Sequence, residues 1–252
     1  MSGHSKWATT KHRKAAVDAK RSALFSKLTR VITVAAKTGG DPNPENNAAL
    51  AAAIAKAKSY SLPKDKIEAA IAKAFGAGAD ANAFEEVVYE GYGPAGVALY
   101  VEALTDNRNR TAADVRAAFT RAGGNLGATG SVAFQFERKG EITVDAAGAP
   151  GEDELMLLVA DAGGDDLEQI DEGFVVYTAP ADVMAVKAAL EDSGVPVKGA
   201  ELVMEPMTPA EVSVEDARKV LRLVDRLEEL DDIQTVYHTM ELTEEIAAAL
   251  EE

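Results

Sequence analysis

Cysteine is absent from the 252 residues. That removes disulfides, thiolate metal sites and cysteine nucleophiles at once, and it fits a reducing, cytoplasmic setting. Histidine is scarce: His4 and His12 lie in the basic opening segment and His238 lies far from them in sequence, so the three do not make a ligand set and no metal is expected. No run approaches the roughly 18–20 uninterrupted apolar residues of a membrane span. No apolar stretch follows the basic start, so a secretory signal is not expected either. Phosphate-cradling Walker sequences are missing. The most local of the shortages is one of negative charge: the first thirty-seven residues hold a single carboxylate, Asp18, against nine Lys and Arg.

The rest of the chain reverses that balance. Residues 1–74 carry 14 basic and 5 acidic side chains, net +9, whereas residues 75–252 carry 12 basic and 37 acidic ones, net -25, within a total of -16. Such a contrast between ends points to contact with a polyanion at one end. The many carboxylates of the C-terminal two-thirds fall on helix faces and in loops, where a solvated surface accounts for them. Nothing selects an acid/base pair, so neither an enzyme nor a cofactor is expected. An Arg- and Ser-containing, acid-poor start is also how a mitochondrial transit peptide reads.

A length of 252 residues with 47% hydrophobic residues suits two or three globular domains. From Asp18, the residues Leu24, Phe25, Leu28, Val31, Ile32 and Ala35 recur at helical spacing, with Lys20, Lys27, Arg30 and Lys37 on the solvent side. Gly39–Pro44 stops that helix. Asn46–Ser59 reads as a second, with Leu50, Ile54 and Ala57 in register, and Pro63 opens a third that ends before Gly76.

The period then changes to two. Val87–Tyr92 and Val97–Leu104 form a hairpin, a helix capped by Thr111 with Asp114 runs to Gly123-Gly124, and Ser131–Phe136 is the next strand. Strand Glu141–Val144, helix Glu152–Ala162 and strand Asp166–Ile170 follow. Strand Phe174–Tyr177, helix Pro180–Asp192 and strand Val197–Met204 complete a βαββαβ, ferredoxin-like order. Ser213 with Asp216 caps Val214–Leu230, Ile233–His238 is a strand and Thr243–Glu252 is a short acidic helix.

The expected class is α+β: a three-helix domain, then two α/β-sandwich domains, the last inserted in the middle one. The boundaries are 1–76 for the basic helical domain, 82–138 with 206–240 for the discontinuous domain, 139–205 for the insertion and 241–252 for the tail.

Gly91-Tyr-Gly-Pro-Ala-Gly96 spells Gly-x-Gly-x-x-Gly. A dinucleotide fingerprint needs a helix to follow, so that its first amides meet the pyrophosphate. Here a strand follows and Pro94 sits in the turn, so the segment reads as a hairpin loop.

Two segments suit phosphate. Lys6, Lys11, Arg13, Lys14, Lys20 and Arg21 deliver cations along a line, whether helical or extended, with Lys27 further on; such contacts release counterions and make binding salt-sensitive. The alternative is a solvated, self-repelling face. Trp7 among them either stacks on a base or anchors onto the helical domain. The second segment is Thr105–Thr111, where Arg108 and Arg110 flank a helix N-terminus. There the alternative is that Asp106 and the Asn side chains cap turns and pair with the arginines.

Ser2-Gly-His-Ser-Lys-Trp7, Lys11-His-Arg-Lys14, Asp18-Ala-Lys-Arg21, Phe25-Ser-Lys-Leu28, Tyr89-Glu-Gly-Tyr-Gly-Pro94, Asp106-Asn-Arg-Asn-Arg-Thr111 and Gly123-Gly-Asn-Leu-Gly127 closely resemble the YebC/TACO1 family. The likeness spans essentially the whole chain. It implies a three-domain cytoplasmic or organellar protein with no established enzymatic residues, and a cleaved leader is not expected because the opening matches the family's own start. It also implies a nucleic-acid-binding regulator of gene expression of the kind called probable transcriptional regulators that bind DNA. The alternative it implies is a translational activator that docks on ribosomal RNA and relieves stalled ribosomes. A third possibility, an acidic scaffold with an incidental basic tail, involves neither. No membrane and no small-molecule substrate is indicated.

Overall fold

The computed structural model describes residues 17–76, 84–170 and 172–251, with side chains from Ser22 onward apart from those of Glu244, Leu250 and Glu251. In chain order come helices α1 (Val17–Gly39), α2 (Ala48–Ser59) and α3 (Lys64–Phe75). Strands β1 (Glu85–Tyr92) and β2 (Ala98–Thr105), helix α4 (Arg108–Arg121) and the short strand β3 (Asn125–Leu126) follow. Next are β4 (Phe136–Asp145), α5 (Glu152–Ala162), β5 (Asp166–Ile170), β6 (Gly173–Thr178), α6 (Val183–Asp192) and β7 (Val197–Pro206). Helix α7 (Val214–Glu228), strand β8 (Ile233–His238) and helix α8 (Glu244–Glu251) close the chain. Mixed helix and sheet, with helices first and two four-stranded antiparallel sheets after them, is the α+β class expected.

Two compact units divide the described residues. One runs to Ala133 and takes in Ser213–His238; the other is Phe134–Val212 with the segment from Thr239. In the first unit, α1 buries Leu28, Ile32 and Ala36 against Leu50, Ala53 and Ala57 of α2 and Ile67, Ala70 and Ala74 of α3. The small residues on α2 and α3 let the three helices approach closely. Asn47 accepts the Leu50 amide as the α2 cap, and its side-chain amide donates to the Ala35 carbonyl, so one buried residue ties two helices.

The first sheet has the order β3-β1-β2-β8, with β1 and β2 paired from Glu85↔Thr105 to Tyr92↔Ala98. Between them Pro94–Gly96 makes a single 3-10 turn in which Ala95 and Gly96 have positive φ. The glycine pattern is therefore a hairpin loop. Gly91 serves close approach, since a Cβ there would stand 2.6 Å from the Asn125 carbonyl oxygen of β3; outside the pattern, a Cβ on Gly124 would stand 2.5 Å from that of Tyr92. Helix α4 packs Val115, Ala118 and Phe119 inward, and α7, capped by Ser213 accepting the Asp216 amide, buries Val220, Leu223, Val224 and Leu227.

Three expectations change here. Ser131–Phe136 is not a strand: it contains a 3-10 turn, Ala133–Gln135, and the strand that pairs with β1 is the two-residue β3. The cause is Glu90, whose buried carboxylate accepts the amides of Gly130, Val132 and Ala133 at 2.7–2.8 Å, leaving those amides no ladder to join. Helix α4 is capped by Asn107, one turn before Thr111, because Thr111 turns inward and is 1% exposed. Helix α6 begins at Val183 and not at Pro180.

The second unit holds the sheet β5-β6-β4-β7, entirely antiparallel, in the βαββαβ order. Its core joins Ile142, Val144 and Val176 of the sheet to Leu155, Val159, Val186 and Leu190 of α5 and α6. Strand β6 is buried at every position, as a central strand covered on both faces requires. Helix α8 turns Ile246 inward, at 2% exposure.

Candidate nucleic-acid interface

Of the residues that suit phosphate, Lys6, Trp7, Lys11, Arg13 and Lys14 lie outside the described residues, as do His4 and His12. Lys20 and Arg21 belong to the first turns of α1, where the backbone alone is described. Lys27 departs from the expected solvent side: it is 9% exposed and its ammonium donates to the carbonyl of Glu228 at 2.6 Å. That carbonyl belongs to the last turn of α7, where unsatisfied acceptors and the helix dipole favour a cation. Arg30 departs from it too, for it reaches the same end of the sheet-bearing part of its unit.

The side chain that collects these contacts is Asp232, just ahead of β8. Its Oδ1 accepts from Arg30 Nη1 at 2.9 Å, and its Oδ2 accepts from Arg110 Nη2 at 2.8 Å and from the Thr111 hydroxyl at 2.7 Å. Thr105 Oγ1 stands 3.3 Å from Oδ2 and accepts the Asn107 amide at 2.8 Å. The same Arg30 nitrogen donates to the Asp231 carbonyl at 2.8 Å, and its guanidinium lies over the Phe84 ring. Burial raises the Asp232 pKa, but hydrogen bonds from Arg110 and Thr111 and the charges of Arg110 and Arg30 outweigh it and hold the carboxyl below its ordinary value. Arg110 is held above its own ordinary value by Asp232 and Asp106.

In the Asp106–Thr111 loop, the arrangement present is the capping and pairing one. Asn107 Oδ1 accepts the Arg110 amide at 3.1 Å, Arg110 also meets Asp106 at 2.8 Å, and Arg108 meets Glu85 at 3.5 Å. Three guanidiniums thus face three carboxylates, which leaves little local charge for an external anion. Arg108 is the least engaged of the three: its side chain is 63% exposed, and its partner is exposed as well, so their pairing is weak. Glu90 is a second internal carboxylate; burial raises its pKa, and the three backbone amides more than reverse that.

Sequence reasoning assigned no role to Asp232, Arg30 or Glu90. The available signal was weak: an acidic pair, Asp231-Asp232, immediately before an apolar strand. His238 sits on β8 opposite Leu99 and is fully buried. Among the described residues no group of three His, Asp or Glu could hold a metal ion, and no helix is long and apolar enough to cross a membrane.

Residues 5–77 match the family model described as the TACO1/YebC protein N-terminal domain, and residues 84–240 match that of the TACO1/YebC second and third domain. A relative from Rubrobacter xylanophilus is 51% identical over 248 residues, covering 98% of each chain, and one from Bifidobacterium animalis subsp. lactis is 49% identical over the full length of both. Each bears the name probable transcriptional regulatory protein. A solved structure of a conserved hypothetical protein from Aquifex aeolicus is similar at a TM-score of 0.82 and 46% identity, covering 92% of this chain and 95% of that one.

Proposed function

Because this chain belongs to the TACO1/YebC family, we propose that it is a nucleic-acid-binding regulator of gene expression that grips phosphates through its basic opening segment. One observation carries this reading. Nine basic residues stand against one carboxylate in the first thirty-seven, and two of the nine, Lys27 and Arg30, are held by contacts inside the fold. The phosphate contact then falls to Lys6, Lys11, Arg13, Lys14, Lys20 and Arg21, with Trp7 among them and Arg108 as an outlying cation. The relatives' name supports DNA as the partner. Helices α2 and α3 are joined by a short turn, and the cations α3 offers to a base edge or a phosphate are Lys64, Lys66 and Lys73, with Asp65 and Glu68 between them. Phosphate contacts by the opening segment fix position on a nucleic acid and do not themselves read base sequence.

A second reading, a translation factor on ribosomal RNA that relieves stalled ribosomes, is favoured by the net charge of -25 over residues 75–252. Duplex flanking a DNA site repels such a body, whereas a basic segment entering an RNA cleft needs no broad footprint. Sedimentation with ribosomes at moderate salt, with duplex DNA as competitor, separates the two. Displacement by DNA supports the first reading, retention supports the second, and binding to neither removes both. Replacing Lys11, Arg13 and Lys14 with Ala is expected to lower the salt slope of binding by about 2–3, at roughly 0.7–0.9 per phosphate. An unchanged slope would remove the opening segment as the contact.

A further inference from the structure

We infer that the face formed by α4 and α7 carries a second phosphate site, a basic groove that takes the phosphodiester backbone of a nucleic-acid strand; this deepens the nucleic-acid reading above and rests on it. The groove has a volume of about 620 Å³, an apolar floor that includes Ala118 and Leu223, and four cations on its walls: Arg121 from α4, and Lys219, Arg222 and Arg226 from α7. Residues 75–252 hold only 12 basic residues among 37 acidic ones, so a third of the scarce cations line one groove.

Spacing explains how α7 does this. Positions 219, 222 and 226 follow one another by three and four, which places them on one ridge. At 1.5 Å per residue the ridge runs roughly 10 Å, longer than the ~3.4 Å axial spacing of charges along one strand. A strand can therefore meet more than one of these cations.

The neighbourhood of Arg222 argues against a merely solvated face. A helix surface needing only solubility places opposite charges three and four residues apart, and like charges there destabilise it. Arg222 has Arg218 four residues before it, Lys219 three before it and Arg226 four after it, against one acid, Asp225, three after it. Lys219 is offset by Glu215 at 2.9 Å and Asp216 at 3.0 Å, and Arg226 by Glu229 at 3.0 Å. Arg121 and Arg222, both exposed, have no carboxylate within 4 Å among the described residues. The geometry thus leaves two guanidiniums, one on each helix, facing a groove whose repulsion an incoming phosphate relieves. Guanidinium forks match phosphate oxygens, and the apolar floor accepts the sugar edge.

The test uses the full chain with Arg121→Ala and Arg222→Ala together, reading fluorescence anisotropy of a labelled single-stranded RNA across a chloride series. Two lost contacts at roughly 0.7 each, the value for a single strand, lower the salt slope by about 1.4, added to whatever the Lys11, Arg13 and Lys14 replacements remove. Tm is expected to stay at the wild-type value because neither side chain has a partner among the described residues, and Arg121→Lys with Arg222→Lys is expected to restore the slope. A wild-type slope in the double Ala variant overturns the groove and leaves the opening segment standing. Failure of the wild type to bind RNA or DNA overturns the nucleic-acid reading and this inference with it. Inorganic phosphate that displaces the groove-dependent binding at matched ionic strength would make it a free-phosphate site, and an acidic peptide that binds the wild type more tightly than RNA, but not the double variant, would make it a protein-docking site. Either result overturns the inference.

Discussion

Arg30 and Arg110 differ from Arg121 and Arg222 in what surrounds them, although all four are arginines of the same unit. The first two converge on one buried carboxylate, Asp232, whose side chain is 9% exposed, and their charge is answered within the fold. The second two face an open groove, with no carboxylate within 4 Å among the described residues. A guanidinium fork serves either purpose: it brings two segments together across a shared anion, or it waits for an anion from outside. The difference lies in the partner and in access to water. An arginine-rich motif such as Asp106–Thr111 is therefore a weak sign of a ligand until its carboxylates have been counted.

The comparison breaks most readily at Asp232. Replacing it with Ala leaves two guanidiniums and a buried hydroxyl facing one another, and a loss of about 2–4 kcal/mol is expected, short of the upper values for fully buried pairs because both arginines touch water. Urea unfolding measures it; a loss under about 0.5 kcal/mol would show that the cluster holds nothing together. Glu90→Gln comes next, at about 1–3 kcal/mol, because the amide loses the charge and its NH2 replaces one of the two accepting oxygens, turning a donor toward at least one backbone N–H group.

These two carboxylates also set an acid limb. Both pKa values are lowered in the folded state. Their stabilisation is therefore complete above the ordinary carboxylate range, near about 4, and fades as pH falls from there through the folded values. Stability measured against pH in Glu90→Gln should show a shallower acid limb than the wild type; an identical limb would mean that Glu90 titrates as it does unfolded. The smallest contrast lies inside the loop itself. Arg110→Ala should lower Tm with little change in nucleic-acid binding, while Arg108→Ala should leave Tm alone. A loss of nucleic-acid binding in Arg110→Ala at unchanged Tm would mean that the loop, and not the groove, meets the ligand.

Much of this architecture was legible because local patterns carried it. Leu28 and Ile32 at helical spacing, the Ser213–Asp216 cap and the alternation of strands and helices from Phe136 to Pro206 each depend on neighbours close in sequence. What escaped depends on distant partners. Val132 and Phe136 alternate as a strand would, with Phe134 exposed between them, yet their segment is shaped by Glu90 some forty residues earlier. Lys27 and Arg30 fall beside the apolar stripe of α1, and nothing near them announces Glu228 or Asp232. The three-and-four spacing of Lys219, Arg222 and Arg226 lies in the sequence but drew no reading there, and that Arg121 faces them across a groove required the packing of α4 against α7.

The return of the chain to add β8 beside β2 has a consequence for synthesis. The contact between Arg30 and Asp232 spans 202 positions. At translation speeds of about 5–20 residues per second, some 10–40 seconds separate the appearance of the arginine from that of its carboxylate. During that interval the second sheet, whose strands all lie between Phe136 and Pro206, has everything it needs to form, whereas the first lacks its last strand. Arg30 thus emerges well before Asp232 and keeps its charge unanswered by that carboxylate until the last strand is made.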